Sequence, residues 1–167
     1  ADFTAANLAK YDVVVWNNNC ANSLFLTTSE KTAFENFIKS GGGFVGIHCA
    51  SHIGNHWPWF YDMIGAVNTG HPSGSLQFQQ ATINVENDSH QSTSHLGNNW
   101  SLTDEWFYFD QSPRGTKNIL LSLDESSYNP GQAMGDHPIA WHGEYDGGRM
   151  FYTGIGHRKE LFSNADY

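Results

Sequence analysis

Residues 12–47 spell a strand, a helix and a second strand joined by short links, and no other stretch restricts the fold as strongly. Asp12 to Trp16 holds a continuous apolar run, the pattern of a strand buried on both faces. Thr27-Thr28-Ser29-Glu30 reads as a capping box, with the acid three residues after the threonine that would cap the helix. The helix so opened carries Ala33, Phe34, Phe37 and Ile38 on one face and ends at Gly41-Gly42-Gly43, because glycine accepts the left-handed conformation of a helix C-terminus. Phe44-Val45-Gly46-Ile47 is a second buried strand. A βαβ unit of this kind has parallel strands and a right-handed crossover. The expected fold class is therefore α/β, a mainly parallel sheet flanked by helices.

The remainder fits one domain, as its 167 residues suggest. Thr4 can cap a short helix from Ala5 to Lys10, and Asn17 to Ser23 is a polar, Asn-rich loop. A short helix with Phe60, Met63 and Ile64 follows Trp57-Pro58-Trp59. Ala81 to Glu86 alternates as a half-exposed strand does, and Asp104–Phe109 and Ile119–Leu123 are further strands. Ile139–Tyr145, Asp146-Gly147-Gly148 and Arg149–Thr153 read as a late antiparallel hairpin. The chain opens on a helix cap rather than a strand, and Lys159 to Tyr167 resembles a helix begun but not completed. A domain clipped at both ends is the expectation.

Charge narrows the partners. A net charge of −9 with only 8 Lys and Arg argues against nucleic acid and anionic membranes. No apolar run approaches the roughly 20 residues of a membrane span. Aromatic residues make up 14% of the chain, including six Trp, which suits either a dense core or stacking on sugar rings. The sequons Asn87-Asp88-Ser89 and Asn99-Trp100-Ser101 point toward a secreted glycoprotein with glycans on Asn87 and Asn99. Cys20 and Cys49 lack metal-finger spacing but fall at the ends of neighbouring strands, where a disulfide is possible. Two free buried thiols, or a thiol site of Cys49 with His142 and Glu144, are the alternatives.

Six segments occur in a fixed order: Gly41 to His48, Trp57-Pro58-Trp59, His71-Pro72, Asp104-Glu105-Trp106, His137-Pro138-Ile139-Ala140-Trp141 and Gly147 to His157. In these the chain resembles the ThuA-like (trehalose utilisation) family, a relative of the class I glutamine amidotransferases. The resemblance implies a flavodoxin- or amidotransferase-like sandwich and the use of trehalose or related glycosides. It also implies that the family's first strand and helix and its last helix are missing here. One sheet edge would then lie open, to be completed by a second copy or a neighbouring chain. Where amidotransferases carry a nucleophilic cysteine, this chain has His48, so glutamine amide hydrolysis is not expected.

Ligands of open α/β sheets bind beyond the carboxyl ends of the strands. Gly46-Ile47-His48-Cys49-Ala50 is a strand ending in a sharp turn, a geometry that projects His48 into a cleft. His71, His157 and Glu105 also match recurring family positions. These imidazoles and one carboxylate could bind zinc or a similar divalent ion, with His48, His71 and His157 as ligands. They could equally act as a metal-free acid and base, with His48, His157 and Glu105 catalytic, or be hydrogen-bonded turn residues. Asp104 faces away from Glu105 on a strand and is left out of the cleft. His52 and His56 would line the cleft mouth, and His90 and His95 would be solvated. Trp57, Trp59, His71, Trp106 and Arg149 are the candidates for binding a sugar, with core packing or a surface ion pair as the alternative for the tryptophans and the arginine. The two functional expectations are a carbohydrate-active hydrolase, lyase or isomerase, and a non-catalytic sugar-binding or structural module of an extracellular assembly.

Overall fold

A computed structural model describes residues 2–20 and 26–167. Thr4 accepts a hydrogen bond from Asn7 and caps α1 (Ala5–Leu8), two residues shorter than expected. Strand β1 (Val13–Asn17) follows, and part of the loop expected after it, residues 21–23, lies outside the described residues. The capping box forms at α2 (Thr28–Lys39), where Thr27 and Glu30 bond reciprocally to each other's backbone. Gly41, at φ 94°, turns the chain out of the helix. Beyond it come β2 (Gly43–Ile47), a 3₁₀ segment (His48–His56) and α3 (Pro58–Ile64). The later elements are β3 (Asn68–Gly70), β4 (Phe78–Val85), β5 (Asn99–Glu105), β6 (Tyr108–Phe109), β7 (Asn118–Asp124), β8 (Pro138–Tyr145), β9 (Gly148–Thr153) and a 3₁₀ turn (Lys159–Ser163).

Seven of these strands form one sheet in the order β1-β2-β9-β8-β7-β4-β5, while β3 and β6 pair separately. The β1–β2 and β2–β9 pairs are parallel, and the other four are antiparallel. Following these pairings, β1, β2, β9, β7 and β5 point one way and only β8 and β4 the other. The sheet is thus mainly parallel in strand direction, within an α/β fold. The expected hairpin is β8–β9, and its Asp146 and Gly147 have φ 50° and 97°, as a two-residue turn matched to strand twist requires. The run expected as one strand from Asp104 to Phe109 is split, because the chain turns at Trp106-Phe107 to pass from β5 into β6.

Helices α2 and α3 cover one face of the sheet. Trp16 stacks on Phe34 and Phe60 there, with ring centroids 5.4 and 5.0 Å apart, and Phe44 meets all three edge-on. Trp141 packs on Tyr152 and donates to the Ile64 carbonyl at the end of α3. The opposite face is open along β1, β2 and β9. Val13 and Val15 are 45% and 53% exposed, so β1 is an edge strand, not the doubly buried strand its apolar run suggested. Beside them lies a groove of about 850 Å³ lined by Val45, His142, Glu144, Arg149 and Phe151.

Cys20 and Cys49 form a disulfide with Cα atoms 4.8 Å apart, which removes the free-thiol alternatives. His142 and Glu144 in any case face that groove. Asn87 is half-buried and accepts from Ser89 within its own sequon, whereas Asn99 is exposed at the start of β5. No helix among the described residues is long and apolar enough to cross a membrane.

Candidate functional site

The carboxyl ends of β1, β2 and β9 lie side by side and each breaks into an unusual backbone conformation: Asn18 at φ 58°, His48 at φ 55° and Gly156 at φ 134°. For His48 this left-handed conformation is sterically costly and persists only because its surroundings enforce it. The buried Tyr152 hydroxyl donates to the His48 carbonyl at 2.7 Å, and the His48 ring stacks on Phe107 at 4.1 Å. Burial pushes the Tyr152 phenol up, so it remains a donor.

The His48 ring is fully buried and its two nitrogens have different tasks. Nδ1 lies 2.7 Å from the Gly154 carbonyl, which can only accept, so Nδ1 carries the proton. In the neutral ring Nε2 then presents a lone pair. It lies 3.2 Å from Glu105 Oε2 and 3.2 Å from His157 Nδ1, and those two atoms are 3.5 Å apart. Three donor atoms, from the turn after β2, from β5 and from the turn after β9, therefore share one point. The second Glu105 oxygen accepts from Gln77 Nε2 at 2.7 Å and faces His71 Nδ1 at 3.4 Å. Burial works to raise the Glu105 pKa, but the contact with His48, the hydrogen bond from Gln77 and the neighbouring His71 and His157 imidazoles outweigh it. The carboxyl is held below its ordinary value and stays ionised at neutral pH.

Above these atoms opens a cleft of about 560 Å³, lined by Asn18, His52, Asn68, His71, Gln77 and Phe107 among others. The lining is rich in amides and imidazoles, and neither Lys nor Arg belongs to it among the described residues. The disulfide forms part of its wall. His52 pairs with Asn68 across this wall at 3.2 Å.

The structure brings together His48, Glu105, His157 and, at the rim, His71. His71 stands apart from the expected ligand set: its Nδ1 donates to the Pro72 carbonyl at 2.8 Å and it meets only the outer Glu105 oxygen. The expected sugar-binding tryptophans and arginine are placed elsewhere. Trp57 is buried against Phe34 and Phe60 and donates to Glu35, while Trp59 donates to Asp146 at the hairpin turn. Trp106 is 1% exposed and donates to the Gln79 carbonyl. Arg149 pairs with Gly43 at the amino end of β9, the far end of the sheet from His48. Gln77 and Phe107 were missed. Gln77 carries no motif, whereas Phe107 could have been sought two residues beyond Glu105 once the strand was known to end there. His137 is buried away from the cleft, between Glu125 and the Phe107 carbonyl.

The whole chain, residues 1–167, matches the family described as ThuA, trehalose utilisation. Among solved structures, a ThuA-like protein from Bacteroides uniformis is 29% identical with a TM-score of 0.81, over 99% of this chain and 68% of that one. A ThuA-like protein from Parabacteroides merdae is 19% identical with a TM-score of 0.70, over 90% of this chain and 61% of that one. This chain thus spans about two thirds of the length of those relatives. A β-galactosidase from Bacillus circulans sp. alkalophilus shares the fold at 14% identity and a TM-score of 0.57, over 87% of this chain but 20% of that enzyme. No curated protein matches the sequence.

Proposed function

We propose, on the premise that this chain belongs to the trehalose-utilisation family, that it is a carbohydrate-active enzyme acting on a trehalose-like or oxidised glycoside in the His48 cleft, with His48, His157 and Glu105 holding a divalent transition-metal ion such as zinc. One observation carries the reading: three donor atoms from separate elements converge at spacings of 3.2–3.5 Å. Ligands at about 2.1 Å around a tetrahedral ion are about 3.4 Å apart, which these spacings fit. Two imidazoles with one carboxylate suit zinc or another first-row transition ion better than magnesium or calcium. His48 has its other N–H held by a carbonyl, the usual support of a ligand imidazole.

An ion in that position would act as a Lewis acid toward a sugar oxygen. The chain's own residues do the rest. Gln77 and His71 occupy one Glu105 oxygen, so Glu105 offers the centre a single oxygen and leaves room on the cleft side. His71, with Nδ1 committed to Pro72, is the imidazole left to move a proton at Nε2. Asn18, Asn68 and Gln77 supply amides of the kind that orient hydroxyl groups. The disulfide beside the cleft suits an extracellular location, with glycans on Asn87 and Asn99. An intact mass above that of the polypeptide, reduced by an amidase that releases N-glycans, would support that part.

The test is the metal content of the native protein by elemental mass spectrometry, beside His48→Ala. Near-stoichiometric zinc or a related ion, lost in the variant together with turnover of a glycoside panel, is expected. A native protein that neither contains nor takes up such an ion would overturn the metal reading. A second reading is a non-catalytic module, favoured by the match of this fold to one fifth of a larger β-galactosidase. Sugar binding without turnover would select it.

A further inference from the structure

We propose that Asp104 is a positioning residue that closes the curled sheet on itself and sets the gap between His157 and His48. In sheet order β5 and β9 are separated by β8, β7 and β4. Four steps of about 4.8 Å would hold them roughly 19 Å apart in a flat sheet. Yet the carboxylate of Asp104, one residue from the end of β5, reaches the turn that follows β9. Its Oδ2 accepts from the Gly156 N–H at 2.7 Å and the His157 N–H at 3.3 Å, and its Oδ1 accepts from the Arg158 N–H at 3.1 Å. Asp104 is fully buried. Hydrogen bonds from N–H groups to a buried carboxylate are among the stronger of their kind.

The neighbouring Glu105 points to the other side of the strand and meets the side chains of His48 and His157. Two consecutive residues thus hold one histidine from both ends, Asp104 by its backbone and Glu105 by its ring. Without the clasp, β5 is paired on one edge only, to β4, and nothing else described bonds to the N–H groups of 156–158. The turn would keep the bond from the Asn18 side chain to the Gly156 carbonyl, but the backbone of 157–158 would lose its hydrogen bonds to β5, and the gap between His157 and His48 would no longer be fixed. This inference rests on the metal reading for its most direct assay but not for its content.

The test uses Co²⁺ as the probe, with affinity read by calorimetry and by visible absorption, in the wild type, Asp104→Asn, Asp104→Glu and Ile83→Val. Asn presents an N–H₂ to N–H donors, and Glu displaces the carboxylate by one methylene. Ile83→Val, in the core of β4, controls for general loss of stability. Loss of an outer partner of a metal ligand typically lowers affinity 10–100-fold, and that is expected in both Asp104 variants while Ile83→Val binds as the wild type does. Wild-type affinity in a folded Asp104 variant overturns the proposal, and if Asp104→Asn does not fold, Asp104→Glu decides. If the wild type binds no Co²⁺, the metal reading fails but the clasp is still read. The nuclear Overhauser contact between the His48 and His157 rings in metal-free protein should then be lost in the Asp104 variants, and its retention overturns the proposal.

Discussion

His48 shows how a single residue is held in a conformation it would not choose. Its φ of 55° is maintained by Tyr152, whose hydroxyl serves the His48 carbonyl from a fully buried position. Tyr152→Phe leaves that carbonyl without this donor, so we expect a loss of about 1–3 kcal/mol in urea unfolding, with no change in the slope of the transition. Glu125 gives a pH prediction with a definite sign. Burial raises its pKa, but hydrogen bonds from Met134, Gly135 and His137 outweigh that and lower it below 4.5. A depressed carboxyl contributes stability that is present above the unfolded value and lost as pH falls through the folded one. Below pH 4.5 the native protein should therefore lose stability more steeply than Glu125→Gln, as denaturant titrations across pH 2–5 would measure. At this scale the sequence was partly legible. The turn that projects His48 is local, but whether an imidazole such as His71 joins a centre or rests on a carbonyl is decided by neighbours distant in sequence.

At the scale of elements, α2 was readable because its signals are local: a capping box at one end and glycines at the other. Strand β1 was misread for a physical reason. Three consecutive valines make the same pattern in a central strand and at an edge, and only the pairing partners distinguish them. The structure turns this into a contrast between adjacent residues. Val15 is 53% exposed and Trp16 is 4% exposed. Val15→Lys should change stability by no more than about 0.5 kcal/mol, while Trp16→Ala, which empties the centre of an aromatic cluster, should cost about 3–5 kcal/mol. Thermal unfolding of the two variants side by side would check both. Equal losses would mean that the outer face of β1 is covered in solution.

At the scale of the whole molecule, strand directions could be anticipated but the curl could not. Nothing local in Asp104-Glu105 says that an edge strand will return over the carboxyl end of β9. The disulfide is a second long-range tie, joining residues 29 apart. By the chain-entropy account, removing it with a double Cys20→Ser, Cys49→Ser change should lower unfolding free energy by about 3–4 kcal/mol. Measurement under reducing conditions should bring the wild type to the same level. A further consequence concerns time. His48 lies 57 positions before Glu105 and 109 before His157, so the three donors meet only when the chain from 48 to 157 has been made and packed. A nascent chain that has not yet reached His157 has no such centre to offer. Since contacts of such long range form late, whatever binds there meets only chains in which β2, β5 and the turn after β9 have already packed, and binding itself becomes a report that this packing is complete.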